Sequence, residues 1–120
     1  MGYMRHGAVL VVANGYAFMS GISDPGYKTP DVESFRESLP EHWRPLLIGP
    51  VTSITNDYRL WAFLPDGSKE GWRDSDDGDV YRREFADLFS FKYEDGSSPF
   101  DVLIVSFGGD HRHRVTTEIG

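Results

Sequence analysis

Apolar runs along the chain predict four main β-strands. Residues 8–13 form a continuous apolar run rich in β-branched side chains, which is typical of a buried central strand. Residues 51–54 follow Gly49-Pro50 and predict a short second strand, whose proline suits a sheet edge. Residues 58–64 predict an aromatic third strand. Residues 100–107 predict a fourth strand with apolar side chains on both faces.

The first helix is predicted between the first two strands. Thr29 can cap its amino terminus, and Pro30 suits the first helical position because its backbone lacks the N–H that would be unpaired there. Val32, Phe35 and Leu39 then recur at a spacing that places them on one face of a helix. A proline directly after Leu39 ends the helix.

A second helix is predicted between the third and fourth strands. Residues 69–77 predict a polar loop, and Asp77 or Asp79 then caps the helix. Its apolar face carries Tyr81, Phe85 and Leu88. Its polar face carries Arg82, Arg83 and Asp87. Residues 115–119 favour an additional short edge strand near the carboxyl end.

The predicted order of elements is strand, helix, strand, strand, helix, strand. This order predicts an α+β fold of the ferredoxin-like βαββαβ type, a sandwich of an antiparallel four- or five-stranded sheet with two helices on one face. A chain of 120 residues suits a single domain, 1–120, and the polar residues 110–120 predict a loose carboxyl-terminal tail.

The third strand decides what the uncovered face of the sheet looks like. Side chains alternate between the faces of a strand, so Leu60 lies on one face while Trp61 and Phe63 lie on the other. If Leu60 faces the helices, Trp61 and Phe63 form an apolar second face. A protein partner, or a second copy of the chain, would cover that face.

Composition narrows the classes of function. The chain has no cysteine, which excludes disulfides, thiolate metal sites and cysteine nucleophiles. Its formal net charge is −7, so its average field repels nucleic-acid phosphates and anionic membranes. No apolar stretch approaches the roughly 20 residues that a membrane-spanning helix needs. No signal peptide is evident, and a cytoplasmic location is expected.

The third strand also resembles part of a known nucleic-acid-binding domain. Residues Arg59 to Leu64 are similar to the third-strand consensus of the RNA recognition motif: a basic residue, glycine, an aromatic, a small residue, an aromatic and an aliphatic. The resemblance implies that Trp61 and Phe63 stack on bases beside Arg59. The sequence departs from the consensus at Leu60, where the family has glycine, and the acidic charge makes a nucleic-acid partner unfavourable.

A cluster of carboxylates precedes the second predicted helix, formed by Asp74, Asp76, Asp77 and Asp79. Clustered carboxylates can bind Ca²⁺. In a calcium-loop register set on Gly78, however, Arg73 occupies the first ligand position and Ser75 the second. The cluster therefore predicts a negatively charged helix entry, stabilised by the helix dipole, which can also dock a basic partner.

Two histidines near the carboxyl end form a candidate metal site. His111 and His113 lie on the same side of an extended segment, and two imidazoles at that spacing can share a metal ion. The alternative is an exposed polar tail.

No catalytic motif is present. The chain has no nucleophile elbow, no phosphate-binding glycine loop and no His-Glu-x-x-His helix, and no cofactor is expected. The sequence therefore predicts a small acidic, non-enzymatic interaction module that binds a protein partner, or itself, through the apolar sheet face or the acidic segment. The alternatives are a dimeric enzyme or ligand binder with a cavity over the sheet, and single-strand nucleic-acid binding through Trp61 and Phe63.

Overall fold

An antiparallel sheet forms one layer of the molecule and helices form the other. The computed structural model describes residues 5–18, 24–68, 71–108 and 116–119. The strands in this part of the chain are β1 (His6–Asn14), β2 (Leu47–Thr52), β3 (Tyr58–Phe63), β4 (Phe100–Phe107) and β5 (Thr116–Ile119). They lie in the order β2-β3-β1-β4-β5, and all four pairings are antiparallel. The predicted α+β class is confirmed.

The helices differ from the prediction at their amino termini. They are α1 (Val32–Ser38) and α2 (Arg73–Asp87), with short 3₁₀ segments at Gly15–Phe18 and Glu41–Leu46. The α1 cap is Asp31 and not Thr29, since the Asp31 carboxylate accepts a hydrogen bond from the backbone N–H of Ser34. The α2 helix begins at Arg73. Residues 73–77 of the predicted loop are therefore helical, and both predicted caps, Asp77 and Asp79, lie inside the helix.

The early start of α2 is explained by the composition of its buried stripe. The buried positions recur at helical spacing and are Ser75, Gly78, Arg82, Phe85 and Ala86. The first three lack the apolar side chains that normally reveal such a stripe. Hydrophobic periodicity in the sequence is therefore visible only in the second half of this helix.

Aromatic rings join the sheet to the helices. Phe63 on β3 and Phe85 on α2 have ring centroids 5.9 Å apart, and Phe85 also contacts Phe35 on α1 at 5.8 Å. Trp61 packs 5.4 Å from Phe89, two residues beyond the carboxyl end of α2. Both α-helices therefore cover the sheet face that carries Trp61 and Phe63.

The edge strand β2 is irregular. Its register against β3 shifts between Ile48 and Val51, so Gly49 and Pro50 are not paired in the ladder. Gly49 has a φ of 118°, and a Cβ atom there would lie 2.5 Å from the carbonyl oxygen of Leu60. Glycine is required at this position both for the backbone conformation and for the close approach of β3.

Substitutions on opposite faces of the sheet test this arrangement. Phe63→Ala removes a fully buried ring and should lower the free energy of unfolding by about 3–5 kcal/mol. Leu10→Ala alters a side chain that is 48% exposed and should cost below about 1 kcal/mol. Urea denaturation at low protein concentration measures both values. Equal losses for the two variants would contradict the assignment of the faces.

Candidate functional site

Trp61 and Phe63 lie in the hydrophobic core. Trp61 is 5% exposed and Phe63 is fully buried. The prediction that they form the uncovered sheet face is wrong, because the alternation of side chains along β3 runs in the opposite sense and Leu60 lies on the uncovered face. The Phe63 ring packs against Phe85 on α2 and the Trp61 ring packs against Phe89, so neither ring offers a free face on which a nucleic-acid base could stack.

Trp61 also borders a shallow groove beside the start of α1. The groove has a volume of about 370 Å³ and includes Phe18, Pro30 and Pro50. The indole Nε1 of Trp61 is enclosed and has no hydrogen-bond acceptor among the described residues. Asp31 lines the same groove, and hydrogen bonds from the Ser34 backbone N–H and hydroxyl hold the pKa of this carboxyl below its usual value.

The uncovered side of the sheet is mainly apolar, with an aliphatic centre. We call it the open face and define it by the side chains that the strand register places opposite the helices: His6, Ala8, Leu10, Val12, Asn14, Ile48, Val51, Tyr58, Leu60, Ala62, Asp101, Leu103, Val105 and Phe107. Leu10 is directly opposite Ala62 on one side and Leu103 on the other, and Ile48 extends this row across β2. Directly opposed side chains share a face and contact one another.

The open face remains substantially exposed. Leu10, Ile48 and Val51 expose 44–51% of their surface. Between them, Leu60 and Ala62 are partly exposed. Asp101, at one end of the face, is the single carboxylate among the open-face residues defined above. A contiguous apolar surface of this kind is characteristic of an interaction site.

Arg59 lies on the other side of β3 from Leu60. Its guanidinium carbon is 4.8 Å from the centre of the Phe18 ring, which is a cation–π contact. Arg59 is therefore separate from the open face. The sequence pattern had placed it in one binding surface together with Trp61 and Phe63. It lines a cavity beside the β2–β3 hairpin.

The acidic segment is helical. Asp74, Asp76, Asp77 and Asp79 all lie in the first half of α2, so the prediction that they form a loop is wrong. Carboxylates in a first helical turn are stabilised by the positive end of the helix dipole, which accounts for Asp74 and Asp76. Asp77 is 3.8 Å from the exposed Arg73, and Asp79 pairs with Arg5 at 2.6 Å. Part of the negative charge is thus neutralised within the chain.

Arg82 is a buried charged residue that the sequence did not reveal. It was predicted on the polar face of the helix, yet it is 5% exposed and lies between α2 and β1. A Cβ atom on Gly7 would lie 2.7 Å from its Nε, and one on Gly78 would lie 2.8 Å from its Nη2. The absence of side chains at these two glycines makes room for the guanidinium.

Two carboxylates flank the buried guanidinium. Arg82 Nη2 donates to Asp79 at 3.2 Å, and Arg82 Nη1 lies 3.6 Å from Asp66, whose side chain is 11% exposed. Arg5 contacts the same Asp79 carboxylate and also donates to Ser75. The cluster is a mainly internal ion-pair network that ties the helix to β1 and to the loop after β3. The sequence features that accommodate the buried Arg82 are Gly7 and Gly78. Their role can be recognised only in the fold, which places both glycines against the guanidinium.

The remaining predicted sites are settled only in part. His111 and His113 lie outside the described residues, so the candidate metal site stays a prediction. In the described ranges, no group of three or more His, Asp or Glu side chains is placed to hold a metal ion, and this includes the acidic segment. No helix in the same ranges combines the length and the apolar character needed to cross a membrane.

Comparisons of the chain with protein-family models, with curated proteins and with solved structures found no match. We therefore infer function from the geometry of the described residues alone.

The internal ion-pair network should be important for stability. Arg82→Met leaves the nearly covered Asp66 carboxylate without its counter-ion, and we expect a loss of about 3–5 kcal/mol in the free energy of unfolding. Arg73→Met is the matched control, because the Arg73 side chain is 92% exposed and its ion pair contributes about 0.5 kcal/mol or less. Guanidinium denaturation of both variants measures the difference. Similar losses would show that Asp66 and Arg82 are solvated.

Proposed function

We propose that the protein is a non-enzymatic interaction module whose open face binds a second copy of the chain. The observation that supports this most directly is the exposed aliphatic row formed by Ile48, Ala62, Leu10 and Leu103 on four neighbouring strands. Isolated exposed apolar residues are common on protein surfaces, but a contiguous row at the centre of a sheet is not.

The fold supports this role. The order β2-β3-β1-β4 and the helices that follow β1 and β3 support a ferredoxin-like arrangement, in which helices cover one face of the sheet and leave the other available. The fifth strand would then be an addition at the β4 edge. This assignment is part of the proposal.

Charge favours an apolar partner over a basic one or a nucleic acid. The chain carries 19 acidic residues, yet among the open-face side chains only Asp101 is a carboxylate, and none is Lys or Arg. A basic partner would find little to pair with there, and a nucleic acid would find no cation for its phosphates. A second open face matches the first in its apolar character.

The size of the open face predicts a weak dimer. The four strands that carry the open face, about 4.8 Å apart and about 20 Å long, provide roughly 400 Å² per copy, or roughly 800 Å² in total. This total lies below the range of about 1,200–2,000 Å² for stable interfaces and matches weak, transient contacts, so we expect a dissociation constant of about 1–100 μM. Such affinity suits a reversible contact.

A charge placed at the centre of the open face should abolish association. Leu10→Asp buries a carboxylate on each side of the contact and should raise the dissociation constant above about 5 mM, at least about fiftyfold weaker, so that the protein is mainly monomeric at about 500 μM. Val80→Asp is the matched control, since Val80 on α2 is similarly exposed, at 53%, but faces away from the sheet. Sedimentation equilibrium measures the masses. A wild-type monomer at this concentration, or a dimeric Leu10→Asp variant, would refute the proposal.

The salt dependence of association distinguishes an apolar contact from an ionic one. Each copy carries a formal charge of −7, so the two copies repel each other and salt screens this repulsion. Raising NaCl from about 50 to about 500 mM should therefore strengthen the dimer. Sedimentation at the two salt concentrations provides the measurement. Weaker association at high salt would indicate that ion pairs, and not the open face, hold the copies together.

A further inference from the structure

A cavity at the end of the sheet opposite the Arg82 network is a candidate binding site. It has a volume of about 480 Å³, within the range of about 300–1,000 Å³ that is typical of small-molecule sites. It lies where β1 ends and the β2–β3 hairpin turns, and we call it the hairpin pocket. Its polar lining consists of Asn14, Tyr16, Thr52, Asn56, Asp57 and Arg59.

The backbone around the hairpin pocket is held in place. A Cβ atom on Gly15 would lie 2.2 Å from the carbonyl oxygen of Asp57, so glycine alone permits this approach of the first 3₁₀ segment to the hairpin. Ser53 N–H donates to the Tyr58 carbonyl at 2.8 Å, and Tyr58 N–H donates to the Ser53 hydroxyl at 2.9 Å. These bonds close the hairpin that forms one wall of the pocket.

Arg59 presents unused hydrogen-bond donors. Its guanidinium is positioned by the Phe18 ring, at 4.8 Å, but no carboxylate or carbonyl in the described part of the chain accepts a hydrogen bond from it. Other arginines find acceptors: Arg36 donates to two backbone carbonyls, as does Arg44. A positioned guanidinium without an acceptor suits a carboxylate, which it can bind through two parallel hydrogen bonds.

Asp57 supplies the opposite charge in the same pocket. It forms no ion pair with any described residue, and it is not paired with Arg59. The pocket therefore contains one cation and one anion, each without a counter-ion in the described residues. A simple anion would be repelled by Asp57, and a simple cation by Arg59. A ligand that carries both charges satisfies both side chains.

We propose that the hairpin pocket binds a free α-amino acid with a small polar side chain. Arg59 binds the α-carboxylate and Asp57 binds the α-ammonium. Thr52 and Asn56 provide hydroxyl and amide groups for a side chain that can donate and accept hydrogen bonds, such as that of serine. Arg59, which binds the carboxylate in this proposal, lies on the other side of β3 from the open face.

Titration of the ¹⁵N-labelled protein with L-serine tests the proposal. We expect saturable shifts of the Gly15, Asn56 and Arg59 amides, with a dissociation constant of about 0.1–5 mM because both charged groups are partly solvated. Acetate and methylammonium each offer one of the two charges and should bind at least about tenfold more weakly. Acetate binding as tight as that of serine would indicate an anion site and refute the proposal, as would the absence of saturable shifts at about 50 mM serine.

Substitutions at the two charged positions identify the contacts. Arg59→Gln and Asp57→Asn should each weaken serine binding by about tenfold or more, while each retains a polar side chain of similar size. Arg73→Gln, at an exposed arginine on α2, is the control and should leave binding unchanged. Because Arg59 also contacts Phe18, a dispersed spectrum of each variant must first show that the fold is intact. Wild-type affinity in a folded Asp57→Asn variant would refute the role of the ammonium contact.

Discussion

The packing of Trp61 and Phe63 against Phe85 and Phe89 is the interaction on which the arrangement of the molecule depends. Side chains on a strand alternate between faces, so burying these two rings under the helices forces Leu60 and Ala62 to the other side. Because directly opposed residues share a face, the strand register then determines which residues of β1, β2 and β4 face the helices. A slip of one residue in β3 would exchange the core and the open face.

Successive residues of β3 consequently serve three environments. Arg59 faces the hairpin pocket, Leu60 the open face and Trp61 the core. The charge of the chain is distributed to match. Asp79 and Asp66 form ion pairs with Arg82, and Asp101 is the single carboxylate among the open-face residues. A strongly acidic protein can in this way keep an apolar surface at the centre of its sheet.

The strands could be predicted from the sequence, but the sequence did not show which face of the sheet the helices cover. Apolar runs revealed β1, β3 and β4, because β-branched and aromatic residues dominate them. Alternation along β3 separated Leu60 from Trp61, yet both faces are apolar, so the pattern alone could not tell which face the helices cover. The face is decided by tertiary packing, because the rings of Phe85 and Phe89 pack against the rings of Phe63 and Trp61.

The candidate sites were less accessible to prediction for similar reasons. The acidic segment resembled a loop because glycine and aspartate favour turns, but Gly78 serves to accommodate Arg82 within a helix. Buried arginines are rare, and nothing local marks Arg82 as one. Arg59 was identified, but for a surface that it does not share. Its relation to Asp57 follows from the hairpin, which brings together groups that sequence patterns treat as unrelated.

The irregular edge of the sheet has a further consequence for how copies of the chain can assemble. A regular exposed edge strand invites strand addition and, with it, open-ended fibres. The break at Gly49 and Pro50 interrupts the row of backbone donors and acceptors on β2, and the opposite edge, β5, is only four residues long. Growth from either edge is therefore disfavoured. The protein can therefore expose the apolar open face while its sheet edges do not act as templates for polymerisation.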